Sequence, residues 1–193
     1  MKKFCIYMNL FFILSILAPS LVAQTVQPYF QKIKDAAGNE QLAGPCSREA
    51  LQQAPFANWF QANYINYKVD SATCTFIEPL LKNKKITIFL GTWCGDSRRE
   101  VPRILKMLDC CNFPPEQLQL IMVSNIDSAY KQSPLHEESG RNIVRVPTII
   151  IEEAGREKGR IVEYPVLSLE KDMLRILRNE TYVPNYGSLR VGA

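Results

Sequence analysis

The chain has 193 residues, 47% of them hydrophobic and 22% charged, with 23 Lys+Arg against 19 Asp+Glu. That length suits one globular domain with a short extension, and the composition excludes wholesale disorder and collagen-like repeats. A net charge of +4 is too small to argue for a nucleic-acid or lipid partner, which leaves six Cys as the first unusual count.

Lys2 and Lys3 precede an apolar run from Leu10 to Leu17, broken by Ser15 alone. The run is shorter than the ~20 residues a membrane-spanning helix needs. It reads as a signal peptide, residues 1–23, cut near Ala23–Gln24, although Leu21 is not the small residue preferred two places before Ala23. The rival reading is an uncleaved N-terminal anchor. Cleavage implies an exported chain with no stable membrane span. It leaves five Cys: Cys46, Cys74, Cys94, Cys110 and Cys111. In an oxidising compartment an odd count leaves one thiol free or paired with another molecule.

Residues 24–69 read as an N-terminal extension. Its first part, 24–45, is polar and turn-rich and is expected to be extended or loosely packed. Ser47, Glu49 and Leu51 suggest a helix start. Phe56, Trp59, Phe60 and Tyr64 then recur at helical spacing, giving one apolar face that packs on the main domain. The main domain is placed at 70–180. Phe76–Leu81 suggests a short helix, and Ile86–Leu90 a buried strand closed by Gly91. A tight connection, Thr92–Asp96, leads into a helix over Ser97–Asp109 with Val101, Ile104, Leu105 and Leu108 on one face. Pro102 is expected to kink it. Leu118–Val123 is a second buried strand, and 124–141 mixes loop and helix. A third strand lies within Ile143–Ile151 and enters through Pro147. Glu153–Lys158 supplies a hairpin turn, Arg160–Tyr164 the returning strand, and Ser168 caps a last helix. Residues 181–193 are a tail expected to fray. The order implies an α/β fold with a central mixed sheet flanked by helices: a parallel first pair joined by a helix, then an antiparallel hairpin.

Chemistry concentrates at Cys94. A Cys at a helix start faces unpaired backbone N–H groups and the positive end of the helix dipole, which favour a thiolate. Ser97 is placed to donate to the sulfur. Arg98 and Arg99 add positive potential, which Asp96 and Glu100 oppose. The bland alternative is a small buried Cys. His136 stands among Glu137, Glu138 and Ser139 and reads as a solvated helix residue. One His excludes a multi-His zinc site, and Cys110–Cys111 lacks zinc-ligand spacing.

Trp93-Cys94-Gly95-Asp96-Ser97 resembles the redox motif of the thioredoxin superfamily. Pro102, eight residues after Cys94, is similar to that family's helix-kinking Pro. Val146-Pro147-Thr148 resembles its cis-Pro loop. The resemblance spans roughly 70–180 and implies a thioredoxin-like fold with a helical N-terminal extension. It implies Cys94 and Ser97 as catalytic residues, and Trp93, Gly95, Asp96, Val146 and Pro147 as the substrate surface. No cofactor or metal is implied. The phrasing GTWCGDSRREVP is similar to exported thioredoxin-like proteins of Bacteroidetes-type bacteria, so the expected location is the periplasm or outside a Gram-negative cell.

Two departures restrict the mechanism. Ser97 stands where the family has its resolving Cys, making the motif CxxS. Ile88 stands where the family often has a buried acid. The implied function is monothiol thiol–disulfide exchange or isomerisation on protein disulfides or thiols, with an external thiol as reductant. The rival is a non-catalytic thioredoxin-like binding module that holds a client. A third reading, peroxide reduction, lacks a peroxidase-type Thr-x-x-Cys environment. Cys110 and Cys111 lie roughly 24 Å along the helix from Cys94, too far to resolve it directly. Cys46 and Cys74 are candidates for a structural disulfide, with pairing of either to Cys110 or Cys111 as the alternative.

Overall fold

The structure, a computed structural model, describes residues 30–191; the expected signal peptide lies outside them. The described part of the polar stretch 24–45, from Phe30 on, is not loosely packed. Strands β1 (Gln31–Lys34) and β2 (Glu40–Cys46) form an antiparallel hairpin. Asp35 closes its turn by accepting from the Ala37 and Asn39 amides at 3.0 and 2.8 Å. Leu42 and Ala43 are buried, which is what holds the hairpin down. Gly44, at φ 100°, lies where β2 passes from one partner strand to the next.

A four-residue helix, α1 (Arg48–Leu51), precedes α2 (Ala57–Asn66), whose Phe60 is buried together with the preceding Phe56. The aromatic spacing therefore marks a core face, with Trp59 and Tyr64 packed at its margin. Helix α3 (Ser71–Ile77) starts earlier than the sequence suggests. Asp70 caps it by accepting from the Thr73 amide at 3.1 Å, and Pro79 falls in the 3₁₀ turn that follows.

Strand β3 (Lys84–Leu90) leads to α4 (Gly95–Cys110) and back through β4 (Leu118–Met122), which runs parallel to β3. Strands β5 (Thr148–Glu153) and β6 (Arg156–Val162) form an antiparallel hairpin, and α5 (Leu169–Leu177) closes the fold. The sheet order is β1-β2-β4-β3-β5-β6, with β5 antiparallel to β3 and β2 antiparallel to β4. This is the mixed α/β sheet flanked by helices expected from the sequence. The third strand starts only at Thr148, because Ile143–Val146 lie in the loop. Residues 124–141 form turns with one short 3₁₀ segment instead of a helix.

Strand alternation divides the core into two clusters. Ile86, Ile88, Leu90, Leu120, Met122, Ile149 and Ile151 point toward residues from all five helices. Phe89, Ile121, Val123 and Ile150 point the other way, onto Ile143 and Val146, with Trp93 and Cys94 against them. The loop before β5 therefore serves as core and as one wall of the site.

Pro102 sits inside α4 and cannot bond to the Arg98 carbonyl. The Asn63 side-chain amide, from α2, donates to that carbonyl at 3.2 Å. The lost helical bond is thus replaced from the extension. The expected fraying of the tail is also not what the structure shows. Tyr182 donates to Asp172 at 3.0 Å, and Asn142 bonds both the Leu189 carbonyl and the Val191 amide.

Candidate functional site

The turn between β3 and α4 is tight: the Cys94 amide donates to the Gly91 carbonyl at 3.0 Å. Cys94 is the N-cap of α4, in extended backbone at φ −84° and ψ 128°, and its carbonyl accepts from the Arg98 amide. Its half-buried side chain therefore lies at the end of the helix where backbone N–H groups are unpaired. The thiol donates to the Val146 carbonyl at 3.2 Å. Val146 precedes Pro147 through a cis peptide bond, and Thr148 donates to the Arg145 carbonyl at 2.7 Å to close that loop. Two segments distant in sequence thus meet at one sulfur.

Trp93 is fixed at both ends. Its indole N–H donates to the Val123 carbonyl at 2.8 Å, and its ring packs 5.9 Å from that of Tyr130. It also covers Gly91 so closely that a Cβ there would lie 2.5 Å from the ring. Around Gly95 there is open space. Asp96 pairs with Arg99 at 2.7 Å.

Ser97 is buried, and its hydroxyl accepts from the Gly91 amide at 3.2 Å. The sulfur's hydrogen-bond partner is the Val146 carbonyl, not the Ser97 donor expected from the sequence. The Gly91 N–H, just beyond β3, needs an acceptor, and Ser97 supplies it. Ser97 thus supports the turn that carries Cys94.

Arg98 and Arg99 keep solvent access, but neither is without partners: Arg98 donates to the Thr92 carbonyl at 2.6 Å. Arg99 bonds Glu100 at 2.6 Å, and Glu100 is buried. The positive charge expected from Arg99 is largely met within its own helix turn. Lys131, which the sequence did not single out, lies close enough to Cys94 and Arg145 for charge coupling. It donates to the Val144 carbonyl at 2.6 Å and sits 4.9 Å from the Tyr130 ring centre. Burial and the Arg145 charge push its ammonium below the ordinary lysine range, while Cys94 and Glu163 work the other way. Arg145 is in turn held over the Tyr186 ring at 5.1 Å by the returning tail.

The extension reaches the site as well. The Leu42 amide donates to the buried Thr92 hydroxyl at 3.1 Å, and Gln41 pairs with Asn125 at 2.6 Å. No local motif announces these contacts; they exist because β2 joins the sheet beside β4. His136 is exposed, in a turn with φ 56° rather than a helix, and contacts Glu138 at 3.2 Å. It is not brought to Cys94.

The candidate pairing of Cys46 with Cys74 is not formed. Both thiols are free and buried, as is Cys111. Cys74 lies on α3, which packs against α4 and α5, and burial pushes its thiol well above the ordinary range. Among the described residues, no group of three or more His, Cys, Asp or Glu could hold a metal ion, and no helix is long and apolar enough to cross a membrane.

No family model and no curated protein matches the chain. Among solved structures, a protein of unknown function from Pseudomonas aeruginosa is similar over 64% of this chain and 81% of its own, at 15% identity and a TM-score of 0.45. An HIV epitope scaffold is similar over 65% of this chain and 83% of its own, at 13% identity and a TM-score of 0.44. Mitochondrial thioredoxin 3 from Saccharomyces cerevisiae, in its oxidised form, is similar over 52% of this chain and 86% of its own, at 18% identity and a TM-score of 0.30. The architecture rests on the strand order and the loop geometry above, not on these likenesses.

Proposed function

We propose that the chain is an exported monothiol thiol–disulfide exchange protein acting through Cys94. One observation carries this reading: a half-buried thiol at the N-terminus of α4, 3.2 Å from the carbonyl that precedes a cis-Pro. The Cys94 thiolate attacks a substrate disulfide R–S–S–R′. A Cys94–S–S–R bond forms, and R′ leaves as a thiolate that takes up a proton. An external thiolate R″–S⁻ then attacks the mixed disulfide, which frees Cys94 and gives R–S–S–R″. The same two steps within one substrate amount to isomerisation. Lys131 and Arg145 supply positive charge near the departing thiolate. Trp93, the open space at Gly95, and the Val146-Pro147 backbone form the surface against which the substrate chain lies.

Ser97 cannot act as a resolving group, since a hydroxyl does not exchange with a disulfide and this one is engaged by Gly91. The mixed disulfide is therefore long-lived unless a second thiol arrives. The test is a stopped reaction of the full chain with a model peptide disulfide, followed by intact mass. A Cys94-linked adduct that a small thiol clears at a turnover-competent rate supports exchange. An adduct that persists points to a capture module, and no adduct at Cys94 overturns both.

A further inference from the structure

The loop that meets Cys94 also borders a cavity of about 950 Å³. Three cations line it: Lys131 from the turns of 124–141, Arg145 from the loop before β5, and Arg190 from the tail. Two contacts tie this cavity to the sulfur. The Val146 carbonyl accepts from the Cys94 thiol at 3.2 Å, and two residues earlier the Val144 carbonyl accepts from the Lys131 ammonium at 2.6 Å. The exposed Tyr130 ring, which also lines the cavity, packs 5.9 Å from the Trp93 ring.

The charge is one-sided. Lys131 has the Val144 carbonyl and the Tyr130 ring as partners, and Arg145 has the Tyr186 ring. Arg190 donates to the Gly187 and Leu189 carbonyls at 3.1 and 2.8 Å. Among the described residues none of the three pairs with a carboxylate, whereas the nearby Arg141 and Arg160 pair with Glu152 and Glu157 at 2.6 and 2.5 Å. The acid that lines the cavity is Glu138, whose carboxylate accepts from the Ser133 amide and hydroxyl at 3.0 and 2.7 Å and contacts His136. Three cations therefore face one acid.

We propose that this cavity takes an acidic segment of the substrate chain, a few residues from the disulfide that Cys94 attacks. The proposal rests on the exchange function above and adds a substrate class to it. A cleft lined by one sign of charge concentrates the opposite charge at its mouth. Arg145 and Arg190 bring planar donors that match carboxylates. The volume lies near the top of the ~300–1,000 Å³ range of small-molecule sites, more than a lone phosphate or carboxylate fills. Cations from three separate segments suit several side chains of one peptide. A chain lying on the Val146-Pro147 backbone enters the cavity past Val144.

Three peptides that share one disulfide and differ only in flanking residues, Glu-rich, Gln-rich or Lys-rich, test this with the full chain. Single-turnover formation of the Cys94 adduct is followed by intact mass, and each rate is normalised to the same peptide's reaction with a small neutral thiol. The Glu-rich peptide should react about tenfold faster than the Gln-rich one at low salt, and the Lys-rich one slower than both. High salt should shrink the Glu-to-Gln ratio to about twofold. Arg190→Glu should cut the low-salt ratio about threefold or more, while Arg178→Glu, the same charge change at the end of α5 and outside the cavity, should move it less than about 1.5-fold. The salt dependence needs no variant and decides the matter if Arg190→Glu does not fold. Equal normalised rates for the three peptides, or equal losses in the two variants, overturn the cavity assignment and leave the exchange function standing. No adduct with any peptide overturns the exchange function instead. The cavity is then read by the binding of a Cys-free Glu-rich peptide to Cys94→Ala: salt-sensitive binding sustains the acidic segment, and its absence overturns it. Displacement of that peptide by equimolar inorganic phosphate assigns the cavity to a free anion and also overturns the proposal.

Discussion

The two ends of α4 place the same chemical group in opposite settings. At the N-terminus, Cys94 is half-buried, beside free backbone N–H groups, with Lys131 close enough for charge coupling. At the C-terminus, Cys111 is buried beside the negative end of the helix, and burial raises its thiol to about 11. The first arrangement suits a nucleophile; the second suits a thiol that stays protonated. The difference teaches that helix polarity and access separate two cysteines of one helix, and the proposed function predicts that their reactivity follows.

The largest expected effect breaks this contrast outright. Cys94→Ala should lower the rate of exchange with a peptide disulfide at pH 7 by at least about a hundredfold, while Cys111→Ala changes it less than about twofold. Equal losses in the two variants would show that the helix ends are not distinct.

Alkaline pH sharpens the comparison from the other end. Burial raises the Cys46 and Cys111 thiols to about 11, and raises the Tyr67 and Tyr182 phenols beyond the ordinary tyrosine range. The native state keeps protons that the unfolded chain loses from about pH 8.5 upward. Stability is therefore full below that pH and falls as pH rises toward 11, by roughly 3–4 kcal/mol at pH 10 from the two thiols together. Urea unfolding at pH 7.5, 9 and 10 measures the trend; a flat or rising midpoint contradicts it.

Asp109 comes next in size. It is an acid near the C-terminal end of α4, where the helix dipole disfavours negative charge. It is retained by Arg48, which donates at 2.8 and 2.7 Å, and by Tyr64 at 2.5 Å. Since both ion-pair partners are partly exposed, Asp109→Asn should cost about 1 kcal/mol. Denaturant titration reads the loss, and the Cys94 exchange rate should not move. A rate that falls with stability would link the two ends of the helix.

The smallest effect is at Lys131. Lys131→Met should slow exchange about threefold and flatten its dependence on salt, because an exposed route for charge remains through Arg145. The rate measured at low and high salt distinguishes this from a structural loss, which salt would not reproduce.

Much of the domain was legible along the chain because its signals are local. Ile86–Leu90 is β-branched and closed by Gly91, Ser168 caps α5, and the α4 stripe of Val101, Ile104, Leu105 and Leu108 has helical spacing. Each of these elements is present, within a few residues of its expected ends. The candidate site was legible in part. Cys94, Trp93, Val146 and Pro147 do converge. The partner of Ser97 was misread, because the unmet need of the Gly91 amide is not visible in a motif. Lys131 went unnoticed because it comes from an irregular segment with no periodicity. Residues 24–45 read as loose because the two short strands they hold carry little apolar pattern, and only pairing with β4 makes those strands part of the sheet.

The sequence by itself determined the helix start that carries Cys94, the absence of a Cys at position 97, and the alternation that buries β3, β4 and β5. These depend on neighbours within a few residues. Tertiary structure alone decided that the Cys94 sulfur faces the Val146 carbonyl. It also decided that the hairpin and the tail brace the site, and that Cys46 and Cys74 stay free and buried. Those contacts join segments tens of residues apart, and their distances are set by how helices and sheet pack, which no local pattern encodes.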